Sequence, residues 1–227
     1  MSGPPIAAPA LGPDAPKWPV AAFMRVVVAP PLLAIYRTRI QGAENFPKTG
    51  GFILAGNHVS YLDPALLWAC VPRPTHFFAK QELFDTAVLG WLFPRVYVLP
   101  INRGSADRIA IQRATDLLAY GEPVGIFPEG TRQVPGATAD TPADAHAGVA
   151  FIAIRAGVPV VPVGIAGTEL ALPKGAKFPR FPRVTIRYGE PVRPEEFTQG
   201  GRKERMQAMT AEIMRRIAVA RAGAEKE

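Results

Sequence analysis

Two residues of this sequence, His58 and Asp63, could do chemistry together. They lie in the stretch GNHVSYLDPALL, where an aspartate follows a histidine by five positions. A neutral imidazole is a base that titrates near pH ~6.5, and a carboxylate beside it orients the ring and stabilises its protonated form. The pair therefore predicts general-base chemistry, such as taking the proton of a hydroxyl nucleophile. The spacing also allows a plainer interpretation, in which Asp63 caps a helix and His58 is a surface histidine.

The two side chains can meet only if the chain turns between them. On a single helix, five residues at ~100° each would set them about 140° apart. The short apolar run Phe52–Ala55, bounded by glycines, predicts a buried strand. Pro64–Cys70 then predicts a helix with a proline in its first turn and Asp63 or Ser60 as N-cap. A turn between strand and helix would let the carboxylate fold back onto the imidazole.

Two further predicted strands also end in polar residues. Val96–Ile101 is followed by Asn-Arg-Gly, which contains Arg103, and Val124–Phe127 is followed, after one proline, by Glu129, Gly130, Thr131 and Arg132. Sites in α/β sheets gather at the carboxyl ends of the strands. Arginine binds phosphate oxygens at two points, glycine lets the backbone approach a ligand, and threonine offers a hydroxyl. The three strand ends therefore predict one cleft that combines a base with an anion site.

The elements that would position these residues alternate along the chain. The remaining strand-like runs are Thr75–Ala79, Val158–Val163 and Val184–Tyr188, and the remaining helical patterns are Ala106–Tyr120, Gly148–Ala156 and roughly 202–222. This alternation predicts an α/β fold with a mostly parallel central sheet flanked by helices. The last helix places Met206, Met209, Ile213 and Ile217 on one face, which we expect to be core. Residues 133–148 are expected to form a mobile loop.

Composition excludes several classes of protein. The chain has 227 residues, enough for one domain with a substantial core. Its one cysteine, Cys70, rules out a disulfide framework and is expected in the core. We expect no metal site, and we expect His76 and His146 to be structural or exposed. The net charge of +7 predicts an anionic partner. No nucleic-acid-binding signature accompanies that charge, so we expect an acidic lipid surface or a phosphorylated small molecule and no nucleic acid.

The N-terminus gives the first indication of lipid. Residues 1–17 form a Pro- and Ala-rich tail that we expect to be disordered, and residues 46–227 would form the main domain. Between them, residues 18–45 are strongly apolar, with Arg25 inside the run and Pro30-Pro31 interrupting it. The uncharged part is shorter than the ~20 residues that span a bilayer. We expect a kinked helical segment that lies in the membrane interface with its arginines at the headgroups. The alternative is an amphipathic helix docked on the core.

Four segments, NHVSYLD, PINRG, FPEGTR and GVPVVPVGI, resemble in this order the four motifs of the glycerolipid acyltransferases, the family of 1-acylglycerol-3-phosphate acyltransferases. The resemblance covers about residues 46–191. It implies transfer of a fatty acyl group from acyl-CoA or acyl-acyl carrier protein to a hydroxyl of a lysophospholipid, without a metal or a separate cofactor. It also implies association with the membrane surface, which we place at the cytoplasmic face of the inner membrane. The resemblance implies that His58 and Asp63 are catalytic. It also implies an acceptor-phosphate site made of Arg103, Glu129, Gly130, Thr131 and Arg132, in which Glu129 orients an arginine.

The sequence departs from the family pattern at several positions. Asn102 stands where the family usually has Asp, Tyr97 where it has Gly, and Gln133 where it often has Ser; His146 and Ala147 stand before Gly148, where a lysine is common. These departures leave the headgroup of the acceptor open, so that lyso-ornithine lipid or another lysolipid is an alternative. The run Val88–Val98 could hold the acyl chain or be buried core.

Two other functions remain as alternatives. Ser60 could be the nucleophile of a covalent hydrolase or transferase, although the chain has no G-x-S-x-G motif. The same fold could also serve a lipid-binding protein without activity.

Overall fold

A seven-stranded sheet lies at the centre of the computed structural model, which describes residues 18–101, 107–129, 143–171 and 180–226. Its strands are β1 (Arg39–Gln41), β2 (Ile53–Gly56), β3 (His76–Lys80), β4 (Val98–Ile101), β5 (Val124–Ile126), β6 (Val160–Ala166) and β7 (Thr185–Tyr188). They are arranged in the order β1-β7-β6-β2-β5-β3-β4. Every neighbouring pair is parallel except β6 and β7, so β1 and β7 run against the other five. The prediction of a mostly parallel sheet is confirmed.

Helices cover both faces of this sheet. They are α1 (Trp18–Phe23), α2 (Ala29–Ile35), α3 (Asp63–Cys70), α4 (Gln81–Phe84), α5 (Ala87–Leu92), α6 (Asp107–Ala119), α7 (Ala143–Ala156) and α8 (Arg202–Glu225). A π-helical turn, Met24–Val28, joins α1 to α2, and 3-10 turns lie at Ala43–Asn45, Phe93–Val96, Thr168–Leu170 and Pro194–Glu196. Within the described ranges, no helix combines the length and the apolar character needed to span a bilayer.

The central strand β2 is buried on both faces, which explains its uninterrupted apolar sequence. Leu54 belongs to a core layer shared with α3, where it lies with Leu66 and Leu67. Ile53 and Ala55 point to the other layer, which is built from residues of α6, α7 and α8. Helices on both faces of a mostly parallel sheet are the layer arrangement of an α/β fold.

Helix α8 packs directly on β6, and a glycine of the strand allows the two backbones to come close. A Cβ on Gly164 would lie 2.2 Å from the backbone carbon of Ala220, so only glycine permits this approach. Met209, Ile213 and Ile217 are buried in the core layer of this face. The prediction that this face of the last helix is core is confirmed.

The N-terminal segment differs from its prediction in two respects. It is helical only as far as Ile35, because Arg39–Gln41 pairs with β7 as an edge strand, which is too short to show a sequence pattern. The expectation that Arg25 lies at lipid headgroups is also wrong. Its Nη2 donates to the carbonyls of Trp68 (3.3 Å) and Val71 (2.6 Å), at the carboxyl end of α3. Helix ends present unpaired carbonyls and partial negative charge, so a guanidinium binds well there.

Two other local predictions need correction. Helix α7 begins at Ala143, so residues 143–148 are not part of a loop, and residues 133–142 lie outside the described ranges. The strand predicted from Val96 begins only at Val98, because Tyr97 has a φ of 66°. This left-handed conformation favours glycine, which is also the residue that the family resemblance leads one to expect at this position. The ring of Tyr97 packs edge-on against His76, with 5.1 Å between ring centroids.

Candidate active site

The loop that follows β2 is fixed at its first residue. Asn57 is buried, and its side chain forms two hydrogen bonds with the backbone of β6. Its Nδ2 donates to the carbonyl of Ile165 at 2.9 Å, and its Oδ1 accepts from the amide of Ile165 at 2.8 Å. The amide thus continues the pairing of the two strands beyond the end of β2 and defines where His58 emerges.

Asp63 lies at the first residue of α3, and its carboxylate turns back into this loop. Its side chain is 0% exposed. Oδ2 accepts hydrogen bonds from the amides of Val59 and Ser60, each at 2.7 Å, and lies 2.9 Å from Nδ1 of His58. The turn expected between strand and helix is therefore confirmed. Because this oxygen only accepts, Nδ1 must carry the proton, and the basic lone pair of the ring is left on Nε2.

The imidazole of His58 is held on a second side by the segment after β5. Its ring stacks on Phe127, with 4.4 Å between centroids and 26° between planes. Its backbone amide donates to Oε2 of Glu129 at 3.0 Å. Glu129 is half-buried, and burial raises its pKa, although the bond from His58 opposes this shift. The side chain of His58 is not fully enclosed, because 17% of its surface stays exposed.

The plainer interpretations of the loop do not hold. Asp63 is not the N-cap, because its carboxylate bonds backwards to the loop, and Leu62 occupies the cap position without a side-chain hydrogen bond. His58 is not a free surface residue. Ser60 is buried, and its hydroxyl accepts from the amide of Leu62 at 3.3 Å. A buried hydroxyl in that role is poorly placed to attack a substrate.

The predicted anion site is described only in part. Glu129 lies beside His58, because β5 neighbours β2 in the sheet. Arg103, Gly130, Thr131 and Arg132 lie outside the described residues. The strands that precede them, β4 and β5, end at the same edge of the sheet as β2.

Other reactive residues of the sequence lie away from this site. Cys70 packs against the core, and burial raises the pKa of its thiol to about 12, so it stays protonated. His76 starts β3 at the opposite edge of the sheet and is 1% exposed, with its Nε2 3.6 Å from Glu122. His76 is therefore structural, as expected. Among the described residues, no group of three or more His, Cys, Asp or Glu could hold a metal ion.

Sequence reasoning missed two neighbours of the His58–Asp63 pair. Phe127 was assigned to a strand without a role, and nothing in the sequence relates it to His58. Thr168 is the second: its hydroxyl donates to Oδ1 of Asp63 at 2.5 Å, across 105 positions of the chain. Only the adjacency of β6 and β2 in the sheet brings it there.

Comparisons with known proteins show which family this chain resembles. The model of the family described as Acyltransferase matches residues 37–166. The 1-acyl-sn-glycerol-3-phosphate acyltransferase of Bacillus subtilis is 30% identical over 180 residues, which are 79% of this chain and 85% of that protein. The alpha form from Mus musculus is 28% identical over 71% of this chain and 57% of its own length. The crystal structure of the acyltransferase PlsC from Thermotoga maritima superposes with a TM-score of 0.65 at 28% identity, over 89% of this chain and 80% of that one.

Proposed function

This chain belongs to the acyltransferase family, and we propose that it transfers a fatty acyl group from a thioester to the free hydroxyl of 1-acylglycerol-3-phosphate, giving phosphatidate. The relatives named for this activity in a bacterium and in mouse support the choice of acceptor. The observation that carries the reaction type is the His58–Asp63 pair, with 2.9 Å between Nδ1 and Oδ2. The donor is acyl-CoA or acyl-acyl carrier protein, and the proposal requires no metal or separate cofactor.

The proposed reaction needs one base that later acts as an acid. Nε2 of His58 takes the proton of the acceptor hydroxyl as its oxygen attacks the thioester carbonyl carbon. The tetrahedral intermediate then collapses: the carbon–sulfur bond breaks, and the leaving sulfur takes the proton from the imidazolium. Asp63 stays ionised throughout and stabilises the charged ring. Its two backbone donors and the Thr168 hydroxyl support that negative charge.

We propose that the acceptor's phosphate is bound by Arg103, Gly130, Thr131 and Arg132, with Glu129 orienting an arginine. Motif resemblance and the shared strand edge support this assignment. Strand β5 lies next to β2, whereas β4 lies three strand spacings from β2, about 14 Å. Arg132, which follows β5, is therefore the better test of the site.

We further propose that the N-terminal segment associates with the cytoplasmic face of the inner membrane. Phe23, Val26, Val27 and Ile35 expose half or more of their surface to solvent, which is unusual for a cluster of large apolar side chains. On α5, Val88 and Trp91 are exposed as well, while Val96 is buried. The run 88–98 thus divides into an exposed half and a core half, and we propose the exposed half as the surface for the acyl chain.

The catalytic proposal is tested by replacing His58. His58→Ala should abolish acyl transfer from acyl-CoA to lysophosphatidate and leave the circular dichroism spectrum unchanged. Ser60→Ala is the matched variant from the same loop: it removes the rival nucleophile and should retain most of the activity. Near-normal turnover by His58→Ala would contradict the proposed mechanism. If Ser60→Ala lost turnover and an acyl-enzyme could be trapped in the wild type, Ser60 would be favoured as the nucleophile.

The acceptor is tested by removing Arg132. A charge-assisted hydrogen bond contributes ~1.5–3 kcal/mol, so Arg132→Ala should raise the acceptor KM roughly tenfold to a hundredfold. The donor KM should change little, and Arg132→Lys should restore only part of the affinity. The deciding quantity is the ratio of kcat/KM for lysophosphatidate to that for a phosphate-free lysolipid. An unchanged ratio in Arg132→Ala would refute the lysophosphatidate assignment and favour another lysolipid.

The membrane proposal is tested with a charged residue in the exposed cluster. Val26→Glu should weaken co-sedimentation with vesicles that contain anionic phospholipid, because it puts a carboxylate into the apolar surface. Val219→Glu on α8 is the control, since Val219 is also exposed but lies far along the chain from the cluster. Equal binding by wild type and Val26→Glu would show that this segment is not the anchor.

A further inference from the structure

Thr168 is a fully buried threonine whose hydroxyl has an unusual partner. It is 0% exposed, and Oγ1 donates to Oδ1 of Asp63 at 2.5 Å. Among the described residues, the other donors to this carboxylate are the His58 ring and two backbone amides, and all three bond to Oδ2. Within this part of the chain, Thr168 is thus the donor on the second oxygen.

The chain positions Thr168 by a turn at the end of β6. Gly167 has a φ of 95°, a conformation that a side chain would strain, and a Cβ there would lie 2.1 Å from the carbonyl of Arg183. The Glu169 carboxylate accepts from the Gly167 amide at 3.0 Å and closes the turn. Because β6 lies directly beside β2, this turn meets the loop that carries the base. The turn after β6 therefore places the Thr168 hydroxyl beside the Asp63 carboxylate.

We propose that Thr168 is a positioning residue for the acyl transfer, whose hydroxyl fixes the rotation of the Asp63 carboxylate and through it the direction of the His58 imidazole. A carboxylate turns about its Cβ–Cγ bond, and the three donors on Oδ2 hold one side of the group. A donor on Oδ1 holds the other side and resists the same rotation, so that Oδ2 stays in line with Nδ1. This inference rests on the proposed function, since it assumes that His58 is the base.

A packing role makes a different prediction, and two substitutions separate the roles. Thr168→Val keeps the volume and removes the hydroxyl, whereas Thr168→Ser keeps the hydroxyl and removes a methyl group. If Thr168 positions the carboxylate, Ser should be the better replacement. If it only fills space, Val should be at least as good.

The test is steady-state kinetics with acyl-CoA and lysophosphatidate on both variants. Small misplacements of catalytic groups lower rates by up to about a hundredfold, so kcat of Thr168→Val should fall at least about tenfold while the acceptor KM is unchanged. Thr168→Ser should keep kcat close to that of wild type. The matched control is Thr75→Val: Thr75 is equally buried, but its hydroxyl donates to the Arg73 carbonyl at 3.0 Å and belongs to the opposite sheet edge. Its kcat should not change.

Each result decides the question. Equal kcat values in the Val and Ser variants, or a lower value in Ser, would overturn the proposal, as would a loss confined to the acceptor KM. Should Thr168→Val not fold, Ala and Ser at this position differ by the hydroxyl alone and give the same contrast. An absence of acyl transfer to lysophosphatidate by the wild-type protein would instead refute the proposed function, and activity in His58→Ala would refute the role of His58 as the base, whatever the Thr168 variants do.

Discussion

Replacing Asp63 with Asn separates the charge of this residue from its hydrogen bonds. The two backbone amides on Oδ2 require an acceptor, so the Asn oxygen should take that position and still accept from Nδ1 of His58. The Asn amide group then lies against Thr168, whose hydroxyl can turn and accept. Asp63→Asn should therefore fold normally and keep the imidazole in the same tautomer. The variant loses only the negative charge beside the ring.

The magnitude follows from what that charge does in the transition state. Two unit charges ~4 Å apart attract by about 4 kcal/mol at an effective dielectric constant of 20, which sets the upper limit. The lower limit is about 1.5 kcal/mol, the contribution of one charge-assisted hydrogen bond. At 1.36 kcal/mol for each factor of ten, kcat should fall between roughly tenfold and a thousandfold.

The assay is single-turnover acyl transfer from acyl-CoA to lysophosphatidate, with thermal unfolding measured in parallel. Asp63→Ala is the comparison, because it removes the acceptor for two buried amides, each of which costs about 1–3 kcal/mol when unpaired. We expect Asp63→Ala to lose roughly 2–6 kcal/mol of unfolding free energy, and Asp63→Asn to lose far less. A turnover rate for Asp63→Asn within threefold of wild type would refute the reasoning, since the charge would then play no part.

Three further predictions concern other charged residues. Burial raises the pKa of the Glu129 carboxyl, so its ionisation lowers the stability of the fold above that pKa and has no effect below about pH 4.5. Glu129→Gln, whose amide oxygen can still accept from the His58 amide, should therefore raise Tm at pH 7 but not near pH 4. A lower Tm of that variant at pH 7 would contradict this prediction, because it would mean that the buried charge is balanced in the free protein. Arg25→Met should lower the unfolding free energy by about 1–3 kcal/mol in denaturant titrations, because two carbonyls at the carboxyl end of α3 lose their hydrogen-bond donor. An unchanged unfolding free energy would show that Arg25 does not stabilise this helix end. Hydrogen bonds from Arg215 and Arg216 lower the pKa of Glu212 to about 2, so Glu212→Gln should show its full loss of stability above pH ~4.5 and a progressively smaller loss between pH ~4.5 and pH ~2. The loss should be at most about 1 kcal/mol because solvent screens the pair with Arg215, whose side chain is 61% exposed, and a loss that persists at pH ~2 would rule out this origin.

Much of the fold could be predicted because apolar runs and helical periods are local signals. The central strand β2 and the turn that returns Asp63 to His58 both follow from a few neighbouring residues. Arg25 was predicted wrongly for the opposite reason. An arginine inside an apolar run resembles a membrane-surface pattern, and its true partner, the carboxyl end of α3, lies more than forty positions away.

The rest of the site depends on strand order, which the sequence does not state. Asn57 and Thr168 each bond across more than a hundred positions to another element, the first to β6 and the second to Asp63. Neither bond leaves a spacing or period that a sequence pattern could show. Because β6 and β5 flank β2, the residues that follow these three strands are neighbours, and only the strand order shows this.

That strand order also explains how a short loop can hold His58 with fixed geometry. The loop after β2 is bound on one side by β6, through Asn57 and Thr168, and on the other side by the segment after β5, through Phe127 and Glu129. A loop held by two neighbouring strands cannot shift without breaking hydrogen bonds on at least one side. His58 is thus preorganised before substrate binds, and the energy of binding need not be spent on ordering it. Under the proposed function, specificity for the acceptor can then vary in the segments after β4 and β5 while His58 stays in place.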